Sequence, residues 1–135
     1  MGFQNKRAHL DKNHTEIVTA LIKSGAYVLD LATNGGGCAD ILAVTRPDSA
    51  VLLEIKQADG KFTIEQLQFL AAYRGYCAWA CTAESAIKIA RSPMLFALSE
   101  KDKRRLLKIV LECQSKGQKE IRVSAFEKRF LELSK

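Results

Sequence analysis

The chain has 135 residues, 47% of them hydrophobic and 27% charged, with a formal net charge of +6. That length suits one domain enclosing a real hydrophobic core, and the composition excludes a disordered or fibrous chain. No apolar run approaches the length of a membrane span and residues 1–10 lack the apolar centre of a secretory signal, so a cytoplasmic protein with no membrane partner is expected.

In chain order, residues 10–22 carry Leu10, Ile17, Val18, Leu21 and Ile22 at the one-face spacing of an amphipathic helix, which Gly25 ends. Residues 26–32 and 39–45 are short runs rich in Val, Ile and Leu on either side of a glycine turn at 33–37, and they predict two strands. After a turn at Arg46, Pro47, Asp48 and Ser49, residues 50–57 predict a third strand. Its alternation puts Leu52, Glu54 and Lys56 on one face and Val51, Leu53 and Ile55 on the other.

A second helix starts with Thr63 as cap, Gln66 completing a capping box and Phe62 stapled against Leu67, and it runs to about Arg74 before Gly75. Residues 76–82 predict a fourth strand and residues 83–91 a helix capped by Thr82. Pro93 then breaks the chain. Ser99 to Asp102 opens a further helix with a stripe of Leu106, Leu107, Val110 and Leu111. A last helix begins at a capping-box spacing between Ser124 and Glu127, with Phe126, Phe130 and Leu131 on a common face. The order describes a compact α/β layer followed by a helical extension.

The four cysteines, Cys38, Cys77, Cys81 and Cys113, have neither the spacing of zinc sites nor the density of a disulfide scaffold, and are expected as free thiols. Cys77 and Cys81 alternate onto one strand face with Trp79, where core packing explains them better than metal binding. Core packing is also the reading for Tyr73, Tyr76 and Trp79.

The charge is unevenly spread. Residues 1–97 hold 10 Lys and Arg against 9 Asp and Glu, whereas residues 98–135 hold 11 against 6. A basic segment of this kind favours a polyanionic partner, although basic helical faces are often merely solvated.

The strongest local oddity is the otherwise apolar strand that carries a carboxylate and an ammonium, Glu54 and Lys56, on one side. Their Cα atoms would lie ~6 to 7 Å apart. Asp40 opens the preceding apolar run, residues 41–44, in a similar way, directly after the glycine turn, and can meet Glu54 if the two strands are neighbours. Paired carboxylates repel unless a cation or proton lies between them, and a hard divalent ion with oxygen ligands would resolve the conflict. An exposed Glu-Lys pair beside a turn aspartate is the plainer alternative.

Four motifs in order, Asn13 to Ile17, Gly37 to Asp40, Glu54 to Lys56 and Phe62 to Gln66, carry a resemblance over residues 12–90. The chain resembles the virus-type replication-repair nuclease (VRR-NUC) domain of the PD-(D/E)xK superfamily, especially its small stand-alone phage versions related to Holliday-junction-resolvase-like nucleases. The resemblance implies a restriction-endonuclease-like α-β-β-β-α-β core with a mixed sheet over residues 1–92, followed by a basic helical extension over 93–135 packed on or appended to it.

It further implies a DNA endonuclease dependent on Mg²⁺ or Mn²⁺, with branched or junction DNA as a substrate class. Asp40, Glu54 and the backbone carbonyl of Ile55 would be metal ligands, Lys56 the catalytic lysine, and Glu16 and Gln66 further members of the centre. Ala39 stands where the family often has proline, which affects the rigidity of the turn and not its ligands. Glu16 and Gln66 also fit capping boxes begun by Asn13 and Thr63, and both readings stay open. His9 and His14 receive no role.

Lys101, Lys103, Arg104, Arg105 and Lys108 of the extension are the candidates for contacting the DNA backbone. Cutting a junction calls for two active sites, hence for a homodimer. The rival readings are a catalytically inactive nucleic-acid binder on the same fold and a protein-interaction module built on the C-terminal helices.

Overall fold

The computed structural model describes residues 12–32 and 37–135, so the expectations resting on His9, Leu10 and the glycines at 35 and 36 lie outside the described residues. The elements are α1 (His14–Lys23), β1 (Tyr27–Asp30), β2 (Ile41–Val44), β3 (Val51–Ile55), β4 (Lys61–Thr63), α2 (Ile64–Ala72), β5 (Cys77–Ala80), α3 (Ala83–Arg91), α4 (Pro93–Phe96), α5 (Glu100–Ser115), β6 (Glu120–Arg122) and α6 (Val123–Leu133).

Gly25 closes α1 at φ +100°, a conformation open to glycine without strain, and the following Ala26 N–H returns to the Leu21 carbonyl at 3.0 Å. The chain then enters a mixed four-stranded sheet of order β1-β2-β3-β5. β1, β2 and β3 form an antiparallel meander, and β5 joins β3 in parallel after the crossover through α2. Every residue of β3 is buried, which explains why a strand in the middle of the layers reads as nearly continuous apolar sequence.

Each face of the sheet has its own core. Val51, Leu53 and Ile55 meet Ile17 and Leu21 of α1 and Ala86, Ile89 and Ala90 of α3. On the other face, Leu52 and Cys77 meet Leu67 and Leu70 of α2, Leu106, Ile109 and Val110 of α5, and Phe126 of α6. The C-terminal residues 93–135 therefore pack on the α/β layer and share its second core. Among the described residues no helix is long and apolar enough to cross a membrane.

Several expectations are corrected. β4 and β6 pair with each other in a separate two-stranded ribbon. At three residues each they are too short to show an alternating pattern, and residues 61–63 read only as the approach to α2. Pro93 does not leave a loop but occupies the first turn of α4, where its missing N–H costs nothing. In α5 the buried stripe is Lys103, Leu106, Ile109, Val110 and Cys113, while Leu107 and Leu111 are exposed. The capping box at Ser124 is not made. α6 starts two residues earlier behind Arg122 without a side-chain cap, Glu127 instead accepts a hydrogen bond from Trp79, and Leu131 faces outward. Cys77 is buried in β5, and Cys81, half-buried, lies one residue past the end of the strand.

Candidate functional site

Asp40 sits one residue before β2. Its N–H donates to the Leu53 carbonyl at 3.1 Å and its carbonyl accepts from Leu31 at 2.7 Å, so the residue is fixed between β1 and β3 by main-chain bonds alone. The ladder pairs Ile41 with Leu53 and Leu42 with Leu52. The ladder stops at Ile41: the N–H and the carbonyl of Asp40 turn to opposite neighbours, β3 and β1, so Asp40 stands at the end of the ladder as an irregular position and not as a further rung. The Asp40 Oδ2 accepts the N–H of Ile55 at 2.7 Å, which ties the side chain to the end of β3.

The glycine before this motif has a specific task. Gly37 holds φ +81°, and a Cβ there would stand 2.5 Å from the Glu65 carbonyl oxygen in the first turn of α2. The loop that delivers Asp40 thus presses backbone to backbone against the helix that follows β4, an approach only glycine permits.

Glu54 is 2% exposed, on a sheet face otherwise filled by Leu52, Cys77 and aromatic rings. Lys56, 7% exposed, brings its ammonium to 3.8 Å from Glu54 Oε2. The same Nζ donates to the Lys61 carbonyl at 2.7 Å and lies 5.3 Å from the centre of the Phe62 ring. A buried carboxylate and a buried ammonium are each costly alone, and this pairing offsets part of the cost.

Glu54 and Lys56 thus meet at the carboxyl end of β3, and Asp40 is tied to Ile55 between them through that residue's N–H. The Ile55 carbonyl leaves an extended strand at the same edge as the N–H that Asp40 accepts. The other predicted residues are placed differently. Glu16 is exposed in the first turn of α1, and the capping box that Asn13 could have begun is absent. The Asn13 amide instead donates to the carbonyls of Lys56 at 3.1 Å and Cys81 at 2.8 Å, fastening the start of α1 to the ends of β3 and β5. Gln66 makes the capping box in full: its side-chain oxygen accepts from Thr63 N–H at 2.9 Å and its own N–H donates to Thr63 Oγ1 at 3.1 Å.

The basic set of the extension divides. Lys101, Arg104 and Lys108 are exposed. Lys103 is buried and its ammonium donates to the carbonyls of Tyr73 and Gly75 just past α2. Arg105 pairs with Asp102 at 2.8 Å and lies over the Phe130 ring. Those two cations hold α5 to its neighbours instead of facing outward.

Cys77 is a core thiol. Burial pushes its pKa up, with the Lys103 ammonium countering part of the effect, and its Sγ lies 3.4 Å from the Leu70 carbonyl. All four cysteines are free.

Among the described residues no three His, Cys, Asp or Glu side chains gather as a ready set of metal ligands. The oxygens near the end of β3 are the carboxylates of Asp40, just before β2, and of Glu54, with the main-chain carbonyl of Ile55. Sequence reasoning missed the partners of Lys56, namely the Lys61 carbonyl and the Phe62 ring. A carbonyl has no sequence signature, and Phe62 already had a reading as a helix staple. No protein-family model matches the chain, and no curated protein or solved structure matches it either.

Proposed function

We propose that this chain is a metal-dependent DNA endonuclease on a restriction-endonuclease-like core. The observation that carries the reading is the buried Glu54–Lys56 pair, 3.8 Å apart at the end of an otherwise apolar strand, with the Asp40 carboxylate accepting the N–H of Ile55 between them at 2.7 Å. Apart from β4, which belongs to the separate ribbon, the order α1-β1-β2-β3-α2-β5 around that centre supports it, because this is the element order expected of the core.

Asp40, Glu54 and the Ile55 carbonyl would hold Mg²⁺ or Mn²⁺, which when bound would supply polarisation of the phosphodiester and acidification of an attacking water. The donor set fits such an ion, since Mg²⁺ accepts few protein oxygens and keeps waters, whereas a zinc site would call for His or Cys. Lys56 would present its ammonium to the charge developing on the phosphate. Lys101, Arg104 and Lys108 would meet the DNA backbone, with affinity falling as salt rises. The expected products carry 5′-phosphate and 3′-hydroxyl ends, and branched DNA cut by a homodimer is the form the activity would take.

One observation favours a non-enzymatic nucleic-acid binder instead: the Lys56 ammonium is already satisfied by Lys61 and Glu54 within the fold. Incubating the purified chain with branched, nicked and linear DNA in Mg²⁺ or Mn²⁺ separates the two. Cleavage that stops on chelation supports the nuclease. Binding of DNA without cleavage of any substrate in either metal supports the binder.

A further inference from the structure

The basic C-terminal segment invites an outward role, yet several of its strongest connections run inward to the neighbourhood of Lys56. Two of the three groups around that ammonium, the Lys61 carbonyl and the Phe62 ring, belong to β4. β4 has three residues, and its partner in the two-stranded ribbon is β6, with Lys61 opposite Arg122 and Phe62 opposite Ile121. A short ribbon has little stability of its own, so the position of the Lys61 carbonyl depends on what fastens the ribbon down.

That fastening comes from residues 119–127. The Val123 N–H donates to the Gly60 carbonyl at 2.9 Å, the Ile64 N–H donates to the Lys119 carbonyl at 3.0 Å, and Lys61 pairs with Glu120 at 2.9 Å. The Phe62 ring packs edge-on against Phe126 at 4.9 Å and against Trp79 at 6.1 Å. The indole N–H of Trp79 in turn donates to Glu127 Oε2 at 3.1 Å.

We propose that the β4–β6 ribbon is a positioning element for Lys56, through which residues of the C-terminal segment, Val123 and Phe126 foremost, set where this ammonium stands. A lysine side chain is a flexible stem bearing a compact charge, and it keeps one place only when acceptors are held around it. The segment is in this respect a wall of the site, built by chain some sixty positions downstream of it (Lys61 against Arg122). The catalytic consequence rests on the nuclease reading of Lys56; the mechanical claim does not.

The decisive variant is Val123→Pro. Val123 is the first residue of α6, where proline is accepted, and Arg122 before it is already extended at φ −61° and ψ 141°. The change removes the donor to Gly60 and sets a ring carbon against that carbonyl. Val123→Ala is the control, because it removes more side-chain volume than proline does and keeps the N–H. Each protein is treated with trace acetic anhydride, and acetylation is read lysine by lysine by mass spectrometry, with exposed Lys101 as the internal standard.

In the wild type Lys56 is expected to react far more slowly than Lys101. In Val123→Pro its rate rises severalfold while Lys101 is unchanged, and Val123→Ala stays with the wild type. Unchanged protection of Lys56 in folded Val123→Pro, or an equal rise in Val123→Ala, overturns the proposal. If Val123→Pro does not fold by circular dichroism, Phe126→Leu, which loosens the ring contact with Phe62, is read in the same way and decides it. In the cleavage assay the variant that exposes Lys56 lowers kcat and leaves KM for DNA unchanged. A wild type that cuts no DNA sinks the nuclease reading, while the acetylation result still decides the role of the ribbon.

Discussion

β3 shows two kinds of interior built from alternate residues of one strand. Val51, Leu53 and Ile55 enter an apolar core closed by α1 and α3. Leu52 and Glu54, with Lys56 one position past the strand, enter the opposite interior beneath α2, α5 and α6 and are buried too, though less completely. The first face is what folding alone would select. The second gives up apolar burial for a carboxylate and an ammonium whose removal from water costs several kcal/mol each before their mutual attraction is counted. Stability does not account for that choice, so the two faces should answer differently to substitution.

The largest difference is expected in chemistry. Lys56→Ala should lower DNA cleavage by about 10³-fold while Mn²⁺ uptake, followed by calorimetry, is largely kept. Asp40→Ala should lose both, since it removes a proposed ligand together with the side chain that holds the Ile55 N–H. A Lys56→Ala protein that cuts at the original rate would remove Lys56 from the mechanism.

On the opposite face the expected effect is mechanical. Leu53 is fully buried among α1, α3 and the neighbouring strands. Leu53→Ala should cost about 3 kcal/mol in chemical unfolding and leave the cleavage rate of the folded fraction near that of the wild type. Equal losses of rate and stability would show that the two interiors are not separable.

The sharper form of the comparison converts one face into the other. Glu54→Leu with Lys56→Met replaces the buried pair by apolar groups of similar volume, and such exchanges are often neutral or stabilising by about 1 to 4 kcal/mol. The double variant should melt at or above the wild-type temperature and cut no DNA. Glu54→Leu alone should melt lower, because it leaves the ammonium buried near the Phe62 ring with the Lys61 carbonyl as its remaining polar contact in this group. A double variant much less stable than the wild type would mean that the pair is there for the fold.

How much of this was legible in the sequence follows from which physical signals are local. The Thr63–Gln66 capping box and the alternation across Val51–Ile55 are set by residues adjacent in the chain, and both appear as expected. So does the pairing of β2 with β3, because two strands joined by a short turn have few ways to pair. The stripe of α5 was misread for a different reason. Leu106, Leu107, Val110 and Leu111 satisfy helical spacing equally well, and only the position of α2 selects Leu106, Ile109 and Val110 for burial. Lys103 was placed outward because charge argues for solvent. Nothing local records that the carbonyls of Tyr73 and Gly75 await it. The ribbon of β4 and β6 was invisible, since its pairing links residues 61–63 to 120–122 with no pattern in either.

The smallest effect lies at the outer rim of the second face, where charge sits in water and not in the core. Arg129 joins α6 to α5 through Glu112, with contacts at 2.9 and 2.6 Å, and reaches Glu132 at 3.6 Å. The hydrogen bond from Arg129 holds the Glu112 carboxyl below the ordinary carboxylate range, with the positive charges of Arg129, Lys108 and Lys116 acting in the same direction. A carboxylate whose pKa is depressed in the folded state stabilises the fold above its unfolded pKa and loses that contribution as pH falls through the folded value. Stability should therefore decline on acidification below the usual glutamate range, and Glu112→Gln should flatten that part of the profile. Because the pair is screened by solvent, the change in melting temperature should be small and should shrink further in added salt. The same acid titration applied to the variant lacking both Glu54 and Lys56 would separate the rim from the interior. If its decline with falling pH matches that of the wild type, the acid sensitivity belongs to the rim. A flattened profile there would transfer it to the buried carboxylate at the end of β3.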